Sequence, residues 1–194
     1  MPRSPMAALL AVLATLALAV PLAAAAEDET ENPLEPLDTS SPQAALQAFV
    51  DQAAVVEEAA LEYRTNRSAQ TQNEFFDAVA KTAELSDLSK VPAASVGAVV
   101  ESNFAAFADI LMRIPQPPIE EIPDADQVAA DELTRWTLPG TKVTYKLLTK
   151  GDRTGAWVLT PQTVSSLGAW REQVEGLPVL AEDPGITNWR RMLD

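Results

Sequence analysis

The chain has 194 residues, with 14 Lys+Arg against 28 Asp+Glu and neither His nor Cys. Without an imidazole or a thiolate there is no Ser-His-Asp or Cys-His unit, none of the common zinc sites and no thiol redox chemistry. A formal net charge of −14 also points away from nucleic acid and anionic lipid headgroups, which are bound by a surplus of Lys and Arg.

In chain order, residues 1–26 read as a secretory signal peptide. Arg3 supplies the positive start, residues 6–22 form an apolar run, and Ala24-Ala25-Ala26 fits a small-x-small cleavage site just before Glu27. The competing reading is an uncleaved anchor, because residues 6–26 are almost long enough to span a bilayer. The consecutive alanines favour cleavage, so the expected location is exported: the periplasm, or the periplasmic side of the inner membrane. Residues 27–40 form an acidic, proline-containing lead, with six acids and no base between 27 and 38.

Residues 41–116 carry helical periodicity. Ser41-Pro42 pairs an N-cap with proline at the first helical position. Leu46, Phe49, Ala53, Val56, Ala60 and Tyr63 then make one apolar stripe. Arg64-Thr65-Asn66-Arg67-Ser68 breaks it. A second helix is expected over residues 72–85 with Phe75, Phe76, Val79 and Ala83 inward. A third is expected over residues 94–114, burying Val96, Val100, Phe104, Phe107, Leu111 and Ile114. Three such helices joined by short loops predict an antiparallel bundle.

Residues 117–134 read as an acidic linker, with six acids and no base between 120 and 132 and prolines at its start. In residues 135–180 the period changes. Val143, Tyr145 and Leu147 alternate with Lys142, Thr144 and Lys146, which is strand patterning, and residues 151–155 make a turn into a second short strand at 156–160. Thr160-Pro161 repeats the cap-and-proline helix start, and the helix after it is expected to cover the hairpin's apolar face. A further strand near residues 135–138 would help, since two strands alone are marginal. The fold class is therefore α+β and mainly helical: a three-helix bundle followed by a small hairpin-plus-helix unit, separable at the linker. Residues 181–194 form a tail.

Several residues invite chemistry. Asp124, Asp126, Asp131 and Glu132 carry the oxygen ligands of a hard cation, but without the glycine and terminal glutamate of an EF-hand loop, so a solvated linker is the better reading and no metal is assigned. Glu57 and Glu58 diverge by about 100° on a helix and make a poor carboxylate pair. Ser40-Ser41 fits capping better than nucleophilic catalysis, and Phe75, Phe76, Phe104 and Phe107 fit a core better than a ligand cage. Asn66-Arg67-Ser68 matches a short glycosylation sequon. No catalytic residue and no cofactor follow from these patterns, and the chain does not read as an enzyme. In the tail, Trp189 beside Arg190 and Arg191 is the mixture favoured at a membrane–water boundary, the competing reading being a tail docked on its own domain.

Four patches, taken in order, carry a resemblance. They are Pro36-Leu37-Asp38-Thr39-Ser40-Ser41-Pro42; Leu85-Ser86-Asp87-Leu88-Ser89-Lys90-Val91-Pro92; Leu138-Pro139-Gly140-Thr141; and Gly155-Ala156-Trp157-Val158-Leu159-Thr160-Pro161-Gln162-Thr163-Val164. Their order and spacing resemble the extracytoplasmic N-terminal region of bacterial small-conductance mechanosensitive (MscS-like) channels. The resemblance implies a periplasmic regulatory or assembly domain ahead of membrane helices that form a heptameric, tension-gated channel. Its partners would be its own channel subunits and the inner membrane. The chain departs from that family in carrying neither the pore helix nor the cytoplasmic β domain, so no pore residue is carried over. The alternative is a free-standing periplasmic protein that binds a ligand or an envelope partner.

Overall fold

The computed structural model describes residues 35–180, so the expected signal peptide and the tail residues Trp189, Arg190 and Arg191 lie outside the described residues. Helix α1 (Pro42–Thr65) begins where the cap predicts: the Ser41 hydroxyl accepts the Ala44 N–H at 3.0 Å, and Pro42 occupies the first turn. Its stripe from Leu46 to Ala60 is buried, with Tyr63 at the margin.

Helix α2 (Ala69–Lys81) starts earlier than residue 72 and ends earlier than residue 85. A capping box sets the start: the Ser68 hydroxyl accepts the Thr71 N–H at 3.1 Å, and the Thr71 hydroxyl accepts the Ser68 N–H at 3.2 Å. Residues Thr82–Leu85 tighten into a 3-10 turn. Phe76, expected inward, is 49% exposed, while Phe75 is half-buried. The inward side of α2 runs through Thr71, Phe75, Ala78 and Val79, and Phe76, about 100° round from Phe75, falls outside it.

Helix α3 (Val96–Arg113) follows a 3-10 turn at Ala93–Ser95 and ends at Ile114, the residue before Pro115. Every residue from Ala106 to Arg113 is buried, so this half is surrounded on all sides. By length and composition Ala93–Arg113 would suffice to cross a bilayer, but half of that stretch is buried inside the fold. Here α2 and α5 pack on it, and α1 meets it through Phe49, whose ring lies 4.5 Å from Phe107 and 5.6 Å from Phe104.

The expected linker is a docked strap. It contains a 3-10 turn (Ile119–Glu121) and the short helix α4 (Ala125–Ala130), begun by an Asp124–Gln127 capping box. Ile122 is 1% exposed, and Gln43 of α1 holds the strap through its N–H to the Pro123 carbonyl at 3.1 Å and its side-chain amide to the Ile119 carbonyl at 2.7 Å. Acids and prolines dominate the composition of this strap, but Ile122 is buried and Val128 and Leu133 pack partly buried against the core.

Strands β1 (Arg135–Thr137), β2 (Thr144–Leu147) and β3 (Trp157–Leu159) form an antiparallel sheet in the order β1-β2-β3. Helix α5 (Pro161–Val174) is capped by the Thr160 hydroxyl. It packs chiefly on α3, while β3 packs against α1, so the hairpin's expected cover comes from a different helix. Leu46, Phe107, Tyr145, Trp157 and Leu167 share one continuous core. The helical and strand-containing parts are consequently one unit, contrary to the expected separation at residues 117–134.

Candidate functional site

β3 is a short strand on which distant parts of the chain meet. One of its edges pairs with β2. Beyond that ladder, the Trp157 N–H donates to the Thr39 carbonyl at 2.7 Å, the Asp87 N–H donates to the Leu159 carbonyl at 2.9 Å, and Ser86 forms a parallel bridge to Leu159. Leu37 joins through its N–H to the Glu84 carboxylate at 2.8 Å. The Arg153 guanidinium, from the β2–β3 turn, donates to the carbonyls of Glu84 and Ser86. Three of the four patches singled out in the sequence therefore converge here.

Asp87 is the electrostatic centre of this junction. It pairs with Lys146 of β2 and accepts the Ser89 N–H at 3.0 Å. Burial pushes its carboxyl up, but the hydrogen bonds from Lys146 and Ser89, with the Lys146 charge, outweigh that and hold it at about 2. The third patch is the β1–β2 turn, where Gly140 has φ +73° and the Thr141 hydroxyl donates to the Leu138 carbonyl at 2.8 Å. The fourth also ties the sheet to α5: the Thr160 N–H donates to the Thr144 carbonyl at 2.9 Å, and the Thr144 N–H to the Thr163 hydroxyl at 3.0 Å.

A second charged group lies in the helical core. Asp109 of α3 is 0% exposed and accepts from Arg113 at 3.3 Å and from Arg171 of α5 at 3.0 Å. Arg113 also donates to the Leu177 carbonyl, and the Leu180 N–H donates to the Met112 carbonyl at 2.8 Å. This clasp fastens α5 and the stretch after it to the most buried helix. Leu177, Val179 and Leu180 nonetheless expose their side chains.

The other singled-out residues are placed as follows. Asp124 spends a carboxylate oxygen on the Gln127 N–H at 2.8 Å, and Asp126, Asp131 and Glu132 are exposed. No group of three or more potential metal-ligating side chains occurs among the described residues. Glu57 is buried and Glu58 exposed, on diverging faces of α1. Phe49, Leu85, Ser86, Asn103, Phe104 and Leu159 help line a pocket of about 20 Å³, room for about one water molecule. The Tyr145 hydroxyl and the Trp157 indole N–H are buried on one face of the sheet without a hydrogen-bond partner, and burial pushes the Tyr145 phenol up, keeping it protonated.

Sequence reasoning missed Asp109 and Asp87 as ion-pair centres. A lone acid inside the apolar run Ala105-Ala106-Phe107-Ala108-Asp109-Ile110-Leu111 was the available signal for the first. None existed for the second, whose partner lies 59 residues away (87 to 146). The arrangement can fasten and orient chain segments, through backbone edges and two ion-paired carboxylates. Compared with known proteins, the chain matches no family model, no curated protein and no solved structure.

Proposed function

We propose that this chain is an extracytoplasmic regulatory or assembly domain of a mechanosensitive ion channel, exported to the periplasmic side of the inner membrane and working by contact rather than catalysis. The observation that carries the reading is the convergence on β3 of three of the four patches that resemble MscS-like proteins. Patches chosen for their order alone have no reason to meet in space unless they serve one structural unit. The clasp adds support, because a stretch fixed to the buried core at Leu177 and Leu180 is a stiff handle for transmitting force. In finer architecture, α1, α2 and α3 form an antiparallel three-helix bundle closed by the sheet and α5. Channel subunits of the same kind are the partners, and the tail residues Trp189, Arg190 and Arg191 are the approach to the bilayer.

The test is patch-clamp recording from spheroplasts of a host without tension-gated channels, producing the complete gene product. Expected is a suction-gated current whose threshold shifts with Asp87→Asn. Absence of any tension-gated current sinks the channel reading. Recovery of the chain free in the periplasmic fraction with a co-purifying ligand establishes the alternative binding protein.

A further inference from the structure

The net charge of −14 conceals a segregation. Residues 133–171 hold six bases (Arg135, Lys142, Lys146, Lys150, Arg153, Arg171) against one acid, Asp152. Two of these are committed within the fold, Arg153 to backbone carbonyls and Arg171 to Asp109. The remaining four belong to β1, β2 and the residues flanking β2. Arg135 and Lys146 are register partners on neighbouring strands, so two like charges project from the same face of the sheet. Directly opposed like charges on a sheet destabilise it. Asp87 compensates Lys146, but Arg135, Lys142 and Lys150 are exposed and form no ion pair among the described residues.

The strap carries the opposite surface. Glu120, Glu121, Asp126, Asp131 and Glu132 are exposed on residues 120–132, which hold no base, and they form no ion pair among the described residues. Because Ile122, Gln43 and the Asp124 cap hold this strap in place, its carboxylates form a fixed surface that need not be ordered on binding. Among the described residues, each molecule thus presents a basic surface on which Lys146 alone is paired, and an acidic strap without an ion pair.

We infer that the exposed bases on β1 and on either side of β2, Arg135, Lys142 and Lys150, dock the acidic strap of a second copy of this chain, head to tail. Charge complementarity selects this occupant, since the strap supplies carboxylates at the same concentration as the bases they meet. An anionic bilayer would leave the acidic strap unmatched, whereas a head-to-tail copy uses both surfaces. Since the two surfaces differ, the contact is heterologous, and each copy offers both halves of it. This deepens the assembly part of the proposed function. Its test uses the purified chain without a membrane, so its failure leaves the tension response standing.

The experiment is sedimentation velocity at low ionic strength and again at about 1 M salt, where the screening length falls to about 3 Å. Expected is self-association at low salt that disappears at high salt. The variant Arg135→Glu/Lys142→Glu and the variant Glu121→Lys/Asp126→Lys each sediment as monomers. Mixed, they form a one-to-one dimer that grows no further, because each retains the half the other has lost. That recovery also shows that neither variant has merely unfolded. A wild-type chain that is monomeric at low salt overturns the inference, as does association that both variants retain. Binding to anionic vesicles that the Arg135→Glu/Lys142→Glu variant loses, with no self-association, reassigns the basic face to a membrane.

Discussion

Asp109 and Asp87 are both carboxylates held by cations from distant elements, yet they solve different problems. Asp109 is fully enclosed, with two arginines sharing its oxygens, and it sits among Phe107, Ala108, Ile110 and Leu111. Asp87 keeps 10% of its side chain exposed beside β3 and has one partly exposed partner, Lys146. Asp109 has none of its own surface exposed and holds the buried Arg113 as well as the partly exposed Arg171. A buried ion pair must offset the desolvation of both partners, so its loss is felt chiefly as the charge left behind. A pair near the surface keeps solvent as a fallback. The clasp should therefore be brittle and the junction forgiving.

The largest effect expected is from Asp109→Ala, which strands the buried Arg113 guanidinium and should cost about 3–5 kcal/mol in urea unfolding. Replacing Asp109, Arg113 and Arg171 together with apolar residues of similar size should recover most of that loss. If the triple variant is as unstable as Asp109→Ala, desolvation is not what distinguishes the clasp.

A smaller effect is expected from Asp87→Asn, about 1.5 kcal/mol near neutral pH. The folded carboxyl is held at about 2 against an ordinary value of 3.8, so the unfolded chain takes up the proton first. The stabilisation is thus complete above 3.8 and is lost as pH falls toward about 2. Unfolding curves of wild type and variant should converge across that window, and a difference that persists unchanged below it would remove Asp87 as the source.

The smallest effect is expected from Tyr145→Phe, and with the opposite sign. Removing a buried hydroxyl that has no partner should stabilise the chain by roughly 1 kcal/mol or less. A clear loss of stability would mean that the hydroxyl is satisfied in solution.

Local signals were read well from the residues. Ser41-Pro42 and Thr160-Pro161 announce α1 and α5, because a side-chain oxygen and a fixed φ act within one turn of chain. The alternation Val143-Thr144-Tyr145-Lys146 assigns β2 for the same reason. The early start of α2 is also legible in Ser68 and Thr71, which form its capping box. The junction was legible only as three unconnected patches.

What tertiary structure alone decided is which surfaces meet. Period identifies an inward face but not its neighbour, so α5 could be foreseen as a helix and not as the partner of α3. The strap shows the same limit. Its composition specifies solvation, and one buried isoleucine with two hydrogen bonds from Gln43 overrides it, because an anchor acts on the whole segment while composition only averages it. Pairing of Asp87 with Lys146, and of Asp109 with Arg171, likewise depends on elements brought together by burial of apolar faces elsewhere. Sequence determined the elements and their ends through interactions a few residues long. Tertiary packing decided the contacts, since these are chosen by shape and burial across the whole chain.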